Sequence, residues 1–495
     1  MKRLRLQGIF QLPNNREAFG EIRLKGPNSR LSLSSHSGPI FLHEARHLLG
    51  TTFDRKKVTC IDCIGFSSGN GSVRQGENWT HYYYTHCFPH FVTVGDEHID
   101  PDSPTVRSIH FTTDDLSSLF YDFDAFGHVI DANPIIDIVL AEQKRLRPIE
   151  VGDHPHVAYF TGKLTVIEVD TDIGKLAVKH QPSHNIGGPK GVFIKNRMVV
   201  SLEPDSLVSF HEAVDRMMVV ADFLSMIAGR RQGINNIRLR TMASDDQAER
   251  PRSLSVYWSH APKRHGSKVD YLKPRPHDVP LNPILRSEEF SRVLKDWIRR
   301  EAEWRPSRIR YVSCLSKGNQ YDADRLIAAA NMFDILPAEA VPLPTALPDD
   351  LAESQATCLK ILKKHSPSQD RDSAISALKR MGKPSLPKKI QHRTTMVVEH
   401  LGPRFNELSY IVKLAVQCRN HFVHGGTDFN FSAVAPFMSF LTDALEFVFA
   451  ASDLIEAGWD AARWNGDSGG TGHTFARFRS VYDMQLAELK RALDG

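Results

Sequence analysis

Gly402-Pro-Arg-Phe-Asn-Glu-Leu-Ser-Tyr-Ile-Val-Lys-Leu-Ala-Val-Gln-Cys-Arg-Asn-His-Phe-Val-His-Gly-Gly426 is the stretch on which the reading of this chain turns. Pro403 suits the first turn of a helix, where its missing N–H has no intrahelical use, and Gly425-Gly426 can adopt the left-handed conformation that stops one. The spacing therefore predicts a helix over 403–424. Projected at 3.6 residues per turn, Leu408, Val412, Ala415 and Val423 fall within about 40° of Arg419, so this cation lies on the apolar stripe. Burying an unpaired charge costs several kcal/mol, so Arg419 needs a carboxylate, a helix C-terminus or a bound phosphate beside it.

Working outward, the same 3.6-residue period predicts helices near 286–303, 321–336, 349–365, 370–381, 386–399, 434–457 and 474–493. The second half of the chain is expected to be all-α. Residues 1–240 instead carry short alternating runs between turn residues: 20–25, 29–34, 57–66, 81–86, 156–169, 175–180 and 191–202. One helix interrupts them, since Ser209 and Glu212 fit a capping box and Phe210, Val214, Met217, Met218, Ala221, Leu224 and Ile227 form a stripe ending before Gly229. Between the halves, residues 241–285 include a Pro- and basic-rich stretch, Lys273-Pro-Arg-Pro-His-Asp-Val-Pro280, unfavourable to regular structure. The expected fold class is α+β: a mainly β domain over 1–240, a linker over 241–285 and an all-α domain over 286–495.

At 495 residues, with 41% hydrophobic and 24% charged residues, the chain can bury more than one core and is neither disordered nor fibrous in composition. Its formal charge of +4 permits a nucleic-acid partner without requiring one. Six cysteines are spread thinly, and no apolar signal segment follows Met1-Lys-Arg-Leu-Arg5. Free thiols and a cytoplasmic location are expected. The longest apolar run, 433–451, contains Thr442, Asp443 and Glu446, which are costly near mid-bilayer, so no membrane span is expected.

Asn420 and His424 are four residues apart on one side of the helix, and the long Arg419 stem can bring its guanidinium toward them. These groups supply a permanent cation that matches phosphate, a hydrogen-bonding amide and an imidazole that titrates near neutrality. That set suits cleavage of RNA by its own 2′-hydroxyl: a base takes the hydroxyl proton, a cation stabilises charge at phosphorus, and an acid protonates the departing 5′-oxygen. No metal or other cofactor is needed. Read as structure alone, Arg419 is half of a helix-end salt bridge, and His424 is a histidine favoured by the C-terminal dipole.

Arg419-Asn-His-Phe-Val-His424 resembles the R-x4-6-H signature of HEPN ribonucleases. The order of a β-rich region, with its Lys57-Val-Thr-Cys-Ile-Asp-Cys63 strand, and an all-α region is similar to the ApeA family of bacterial antiphage proteins. The resemblance implies an abortive-infection endoribonuclease that cuts RNA, tRNA in particular. It carries Arg419, Asn420 and His424 as catalytic residues in a composite site formed by paired HEPN domains. A homodimer or higher homo-oligomer and a phage-derived protein trigger are expected partners. The alternative is a non-catalytic HEPN-like protein that dimerises and binds nucleic acid or another partner.

Two metal-like motifs compete for attention. His43-Glu-Ala-Arg-His47 matches H-E-x-x-H, but the β-run beginning at Lys57 argues for a strand leading into a turn rather than a zincin helix. Cys60, Cys63, Cys87 and His90 have C-x2-C and C-x2-H spacing; residues three apart in a regular strand face opposite ways, so small buried hydrophobes are the expected reading beside a structural zinc. Two basic groups, Arg230-Arg231 with Arg238 and Arg240, and Lys144-Arg145 with Arg147, read as solvated surface or as RNA contacts. Tyr82-Tyr83-Tyr84 reads as strand packing.

Overall fold

Alternation in the first half builds antiparallel strands that close on themselves. In the computed structural model, which describes residues 4–12, 16–42, 46–76, 78–143, 150–242, 252–263, 273–425, 429–466 and 470–494, the chain forms two compact units that divide between Arg299 and Arg300. In the first unit, strands Leu4–Leu12, Arg16–Leu24, Arg30–Ser35, Leu48–Thr52, Lys57–Gln75 and Asn78–Gly95 pair in a closed ring. Every second residue points inward, and Phe10, Ile22, Leu31, Leu33, Val58, Cys60 and Cys87 fill the interior. Phe10 occupies its place because Gly20 and Gly50 carry no Cβ: one added there would lie 2.2 Å and 2.6 Å from its ring.

The alternation fails at Asp62, whose φ of 51° is left-handed. This kink brings Cys63 against the core that already holds Cys60 and Cys87, so the expectation that Cys60 and Cys63 face opposite ways is corrected. Hydrogen bonding with neighbouring thiols, and then burial, push the Cys63 and Cys87 ionisations far up, which keeps both as small protonated hydrophobes. His90 takes the Trp258 indole N–H at 3.2 Å and packs against His260.

Six further strands continue the 12-stranded sheet. Helix Phe210–Ala228 lies on it, with Phe210, Ala213 and Met217 against Phe91, Ile109 and Leu239. Its ends are those expected: Ser209 Oγ accepts the Glu212 N–H at 3.2 Å, and Gly229 closes the helix at φ 64°. Arg230 and Arg231 are not free surface charges, because they pair with Asp115 and Asp222. Lys144, Arg145 and Arg147 lie outside the described residues. Tyr82-Tyr83-Tyr84 lies within strand Asn78–Gly95.

Two elements differ from the expected division at 241–285. Arg252–Trp258 is a strand paired on both sides, with Ile234–Thr241 and with Asn78–Gly95. Helix Ser287–Arg299 joins the first unit, where Phe290 packs at 5.5 Å from Phe120 and Trp297 at 5.2 Å from Phe223. Helical period shows that a segment has an apolar stripe; it does not show which core receives the stripe.

The second unit is all-α among its described residues. Helix Met438–Glu456 is its buried axis, with Leu441, Ala444, Leu445, Val448, Ala451 and Leu454 at the core. The stretch Phe431–Glu456 is long and apolar enough to cross a membrane, but 67% of its most apolar window is buried inside the structure, as expected of a core helix. The helices around it are tied by charge. Arg308 of Glu301–Ser316 forks onto Asp453 at 2.9 and 3.0 Å, Arg325 of Ala323–Asp334 forks onto Glu446 at 2.7 and 2.9 Å, and Arg393 of Leu386–Leu401 meets Ser452 and Glu456. Helix Glu301–Ser316 lies beyond the helix expected over 286–303 and carries Pro306 in its second turn.

Candidate active site

The helix that carries the proposed residues starts later than Pro403. Pro403–Phe405 forms one 3-10 turn and the α-helix spans Leu408–His424, because Phe405 is drawn fully into the core against Phe447, Phe478 and Tyr482. From Leu408 the stripe is as expected, with Leu408, Val412 and Ala415 buried; Val423 is 43% exposed, so the apolar face ends before the last turn. Gly425 ends the helix at φ 70°, its N–H donating to His421 O at 3.0 Å. Gly426 lies outside the described residues.

Arg419 stands where this stripe runs out, half-buried. Its Nη1 donates to Asn420 Oδ1 and its Nη2 to Asn331 Oδ1, each at 3.1 Å. Its Nε is buried with no hydrogen-bond partner. Both acceptors are neutral amides, and none of the ion pairs among the described residues gives Arg419 a carboxylate. Among the described residues no helix-end salt bridge forms, and amides rather than acids orient the guanidinium there.

Asn331 is the residue that sequence reasoning missed. It lies on helix Ala323–Asp334, 88 residues before Arg419, and the Arg325–Glu446 fork holds that helix to the core. No local signal marks it, because an asparagine inside an amphipathic helix carries no motif.

The two histidines differ. His421 packs on Phe431 with ring centroids 5.1 Å apart and planes 11° apart, and also lies near Phe429. His424 is exposed at the last helical position. The structure thus brings Arg419 together with Asn420 and Asn331, while His424 makes no hydrogen bond to any of them within one chain. Cys418, beside Arg419, is buried, and its thiol ionisation is pushed up to about 11, so it is not an activated nucleophile.

One other titrating group stands out in this unit. Asp443 is pushed up to about 7 by burial and by the neighbouring Glu446 carboxylate, while the Tyr321 hydroxyl donates to it at 2.8 Å.

The metal-like motifs do not assemble as spaced. His43 and Glu44 lie outside the described residues, and His47 leads into the strand Leu48–Thr52 rather than a helix. Cys60, Cys63 and Cys87 share the ring's interior, whereas His90 packs with Trp258 and His260. These four do not converge as one ligand set: among the described residues, the group of three or more potential ligands drawn together is a different one, His47, Asp102 and His211.

The family model described as ApeA N-terminal domain 1 matches residues 5–297, and the model described as Apea-like HEPN matches residues 327–463. The second span contains Asn331, Arg419, Asn420 and His424. No curated protein and no solved structure matches the chain. Matched over more than half its length by the first model and followed by the second, the chain belongs to the ApeA family, joining an ApeA N-terminal domain to an ApeA-like HEPN domain of the antiphage type.

Proposed function

We propose that this protein is a metal-independent endoribonuclease of abortive-infection defence that cleaves tRNA in the cytoplasm. HEPN domains are in general ribonuclease modules, and the observation that carries the reading here is the state of Arg419. A cation held by two amide oxygens, without a carboxylate, keeps its charge for an incoming phosphate.

In this reading Arg419 clamps the scissile phosphate, and Asn331 and Asn420 hold its guanidinium plane. Asn420 also orients substrate or catalytic groups. His424 transfers protons from the solvent-facing end of the helix. The ribose 2′-oxygen attacks phosphorus, its proton passes to a base, and the 5′-oxygen leaves with a proton from an acid. The products are a 2′,3′-cyclic phosphate and a 5′-hydroxyl. One Arg–His set supplies too few groups for both proton transfers and charge stabilisation, so two HEPN domains of a homodimer form the working site, with a phage-derived protein as trigger.

The test is purified protein with total tRNA, with and without chelator, beside an Arg419→Ala/His424→Ala variant. Cleavage that survives chelation, leaves cyclic phosphate ends and vanishes in the variant is expected. Cleavage that requires a metal, or that is unchanged in the folded variant, overturns the assignment. RNA binding without cleavage by triggered wild-type protein favours the non-catalytic alternative.

A further inference from the structure

Asp62 also touches two histidines of the first unit, His47 and His211. His47, just ahead of strand Leu48–Thr52, Asp102, in the loop after strand Asn78–Gly95, and His211, in the first turn of helix Phe210–Ala228, each offer one ligand atom, and those atoms lie within 4.8 Å of one another. The Phe210 N–H donates to Pro101 O at 3.1 Å, fastening Asp102's loop to the start of His211's helix. Three segments remote in sequence thus converge.

Both rings have an unmet need. The Nε2 atoms of His47 and His211 are buried and have no hydrogen-bond partner. A buried imidazole nitrogen without a partner is unusual, because its loss of water is uncompensated. Asp62 addresses the opposite nitrogens: its N–H donates to His47 Nδ1 at 3.3 Å, and its carboxylate lies 3.9 Å from His211 Nδ1 while also accepting from Arg46 Nε at 2.7 Å.

We infer that His47, Asp102 and His211 form a binding site for a divalent transition-metal ion, zinc by preference. Two imidazoles and a carboxylate are a borderline N/O set that suits zinc and leaves a fourth tetrahedral position for water. On His211, a metal at Nε2 leaves Nδ1–H directed toward the Asp62 carboxylate, the outer support usual for a ligating histidine. On His47, the Asp62 amide leaves the neutral ring's proton on Nε2, so capture at that atom moves the proton to Nδ1 by exchange with solvent and gives up the long 3.3 Å hydrogen bond. The positive end of the helix dipole opposes a cation here, and Asp102 with Asp62 offsets it. The ion clasps the three segments of the N-terminal domain and is separate from the metal-independent chemistry assigned to Arg419.

The experiment uses the full chain, stripped with chelator and titrated with Zn2+ by calorimetry and with Co2+ by visible absorption. One ion per chain, a rise in Tm on loading and a cobalt spectrum without thiolate charge-transfer bands are expected. Losing an outer-shell partner costs about 10–100-fold in affinity, so His211→Ala and Asp102→Asn should weaken binding at least tenfold, while Cys63→Ser and Cys87→Ser leave it unchanged. Asp102 is exposed, so Asp102→Asn keeps the test decisive if the histidine variant fails to fold. No stoichiometric binding, binding unaffected by Asp102→Asn in folded protein, or binding that follows the cysteines overturns the site.

Discussion

Arg308 and Arg419 are arginines in one helical unit, yet the first gives all its described hydrogen bonds to carboxylates and the second gives none. Around helix Met438–Glu456, Arg308 reaches Asp453 and Glu301 and is 1% exposed. At the end of helix Leu408–His424, Arg419 meets Asn331 and Asn420, and no carboxylate among the described residues. Charge neutralised inside a core holds helices together. Charge that amides orient at the edge of a core is what the proposed phosphate clamp requires. The difference separates architecture from chemistry within a single residue type.

The largest expected effect tests the second kind. Arg419→Ala and His424→Ala should each lower single-turnover cleavage by about two to four orders of magnitude, with melting and dimerisation largely retained. Near wild-type rates in either folded variant would sink the catalytic assignment. Arg308→Ala should do the reverse. Arg300 still pairs with Asp453 at 2.9 Å, so losing the fork should cost about 2–3 kcal/mol of stability in denaturant titration, less than for a charge left with no partner, and whatever remains folded should still cleave RNA. If Arg308→Ala unfolds no more readily than Arg419→Ala, the contrast between the two arginines has no energetic content.

A third test uses pH. Asp443 binds its proton more tightly in the folded state, near pH 7, than in the unfolded chain, where a carboxyl titrates near 3.8. Its contribution is therefore fully present below pH 3.8 and is lost as pH rises through 7. Asp443 retains some solvent access, which reduces the effect, so Asp443→Asn should stabilise the protein by about 1–3 kcal/mol at pH 8 and by much less at pH 4. Equal stabilisation at both values would show that the carboxyl is not held protonated.

Smaller effects sharpen the site itself. Asn331→Ala removes one of two restraints on the guanidinium and should reduce cleavage by about tenfold, with RNA affinity changed less. An unchanged rate would make Asn420 sufficient to orient Arg419. His421→Ala removes stacking on Phe431 and should cost about 1 kcal/mol of stability with little loss of activity. A loss as large as that of His424→Ala would exchange the roles of the two histidines.

Much of the architecture was legible because its signals are local. Ser209, Glu212 and Gly229 marked both ends of a helix, and period alone separated a strand-rich half from a helical one. The alternating run at 57–66 continues in the structure as strand Lys57–Gln75, because its long partner, Asn78–Gly95, supplies the pairing that keeps Ser67-Ser-Gly-Asn-Gly71 extended. Strand Arg252–Trp258 is likewise defined by neighbours on both sides.

The amino-acid order alone determined that a helix ends at His424, that Arg419, Asn420 and His424 lie on its last turns, and that the family is of the ApeA type with a HEPN domain. Helix period, caps and a short motif are written within a few residues and can be read there. Which core receives helix Ser287–Arg299, which amide holds Arg419, and which aspartate lies between two histidines were decided by tertiary structure. Those outcomes depend on the register and packing of segments far apart in the chain. A side chain's charge is met or left unmet only when distant neighbours arrive, so a periodic pattern shows that Arg419 needs a partner, and only packing shows that its partners among the described residues are amides.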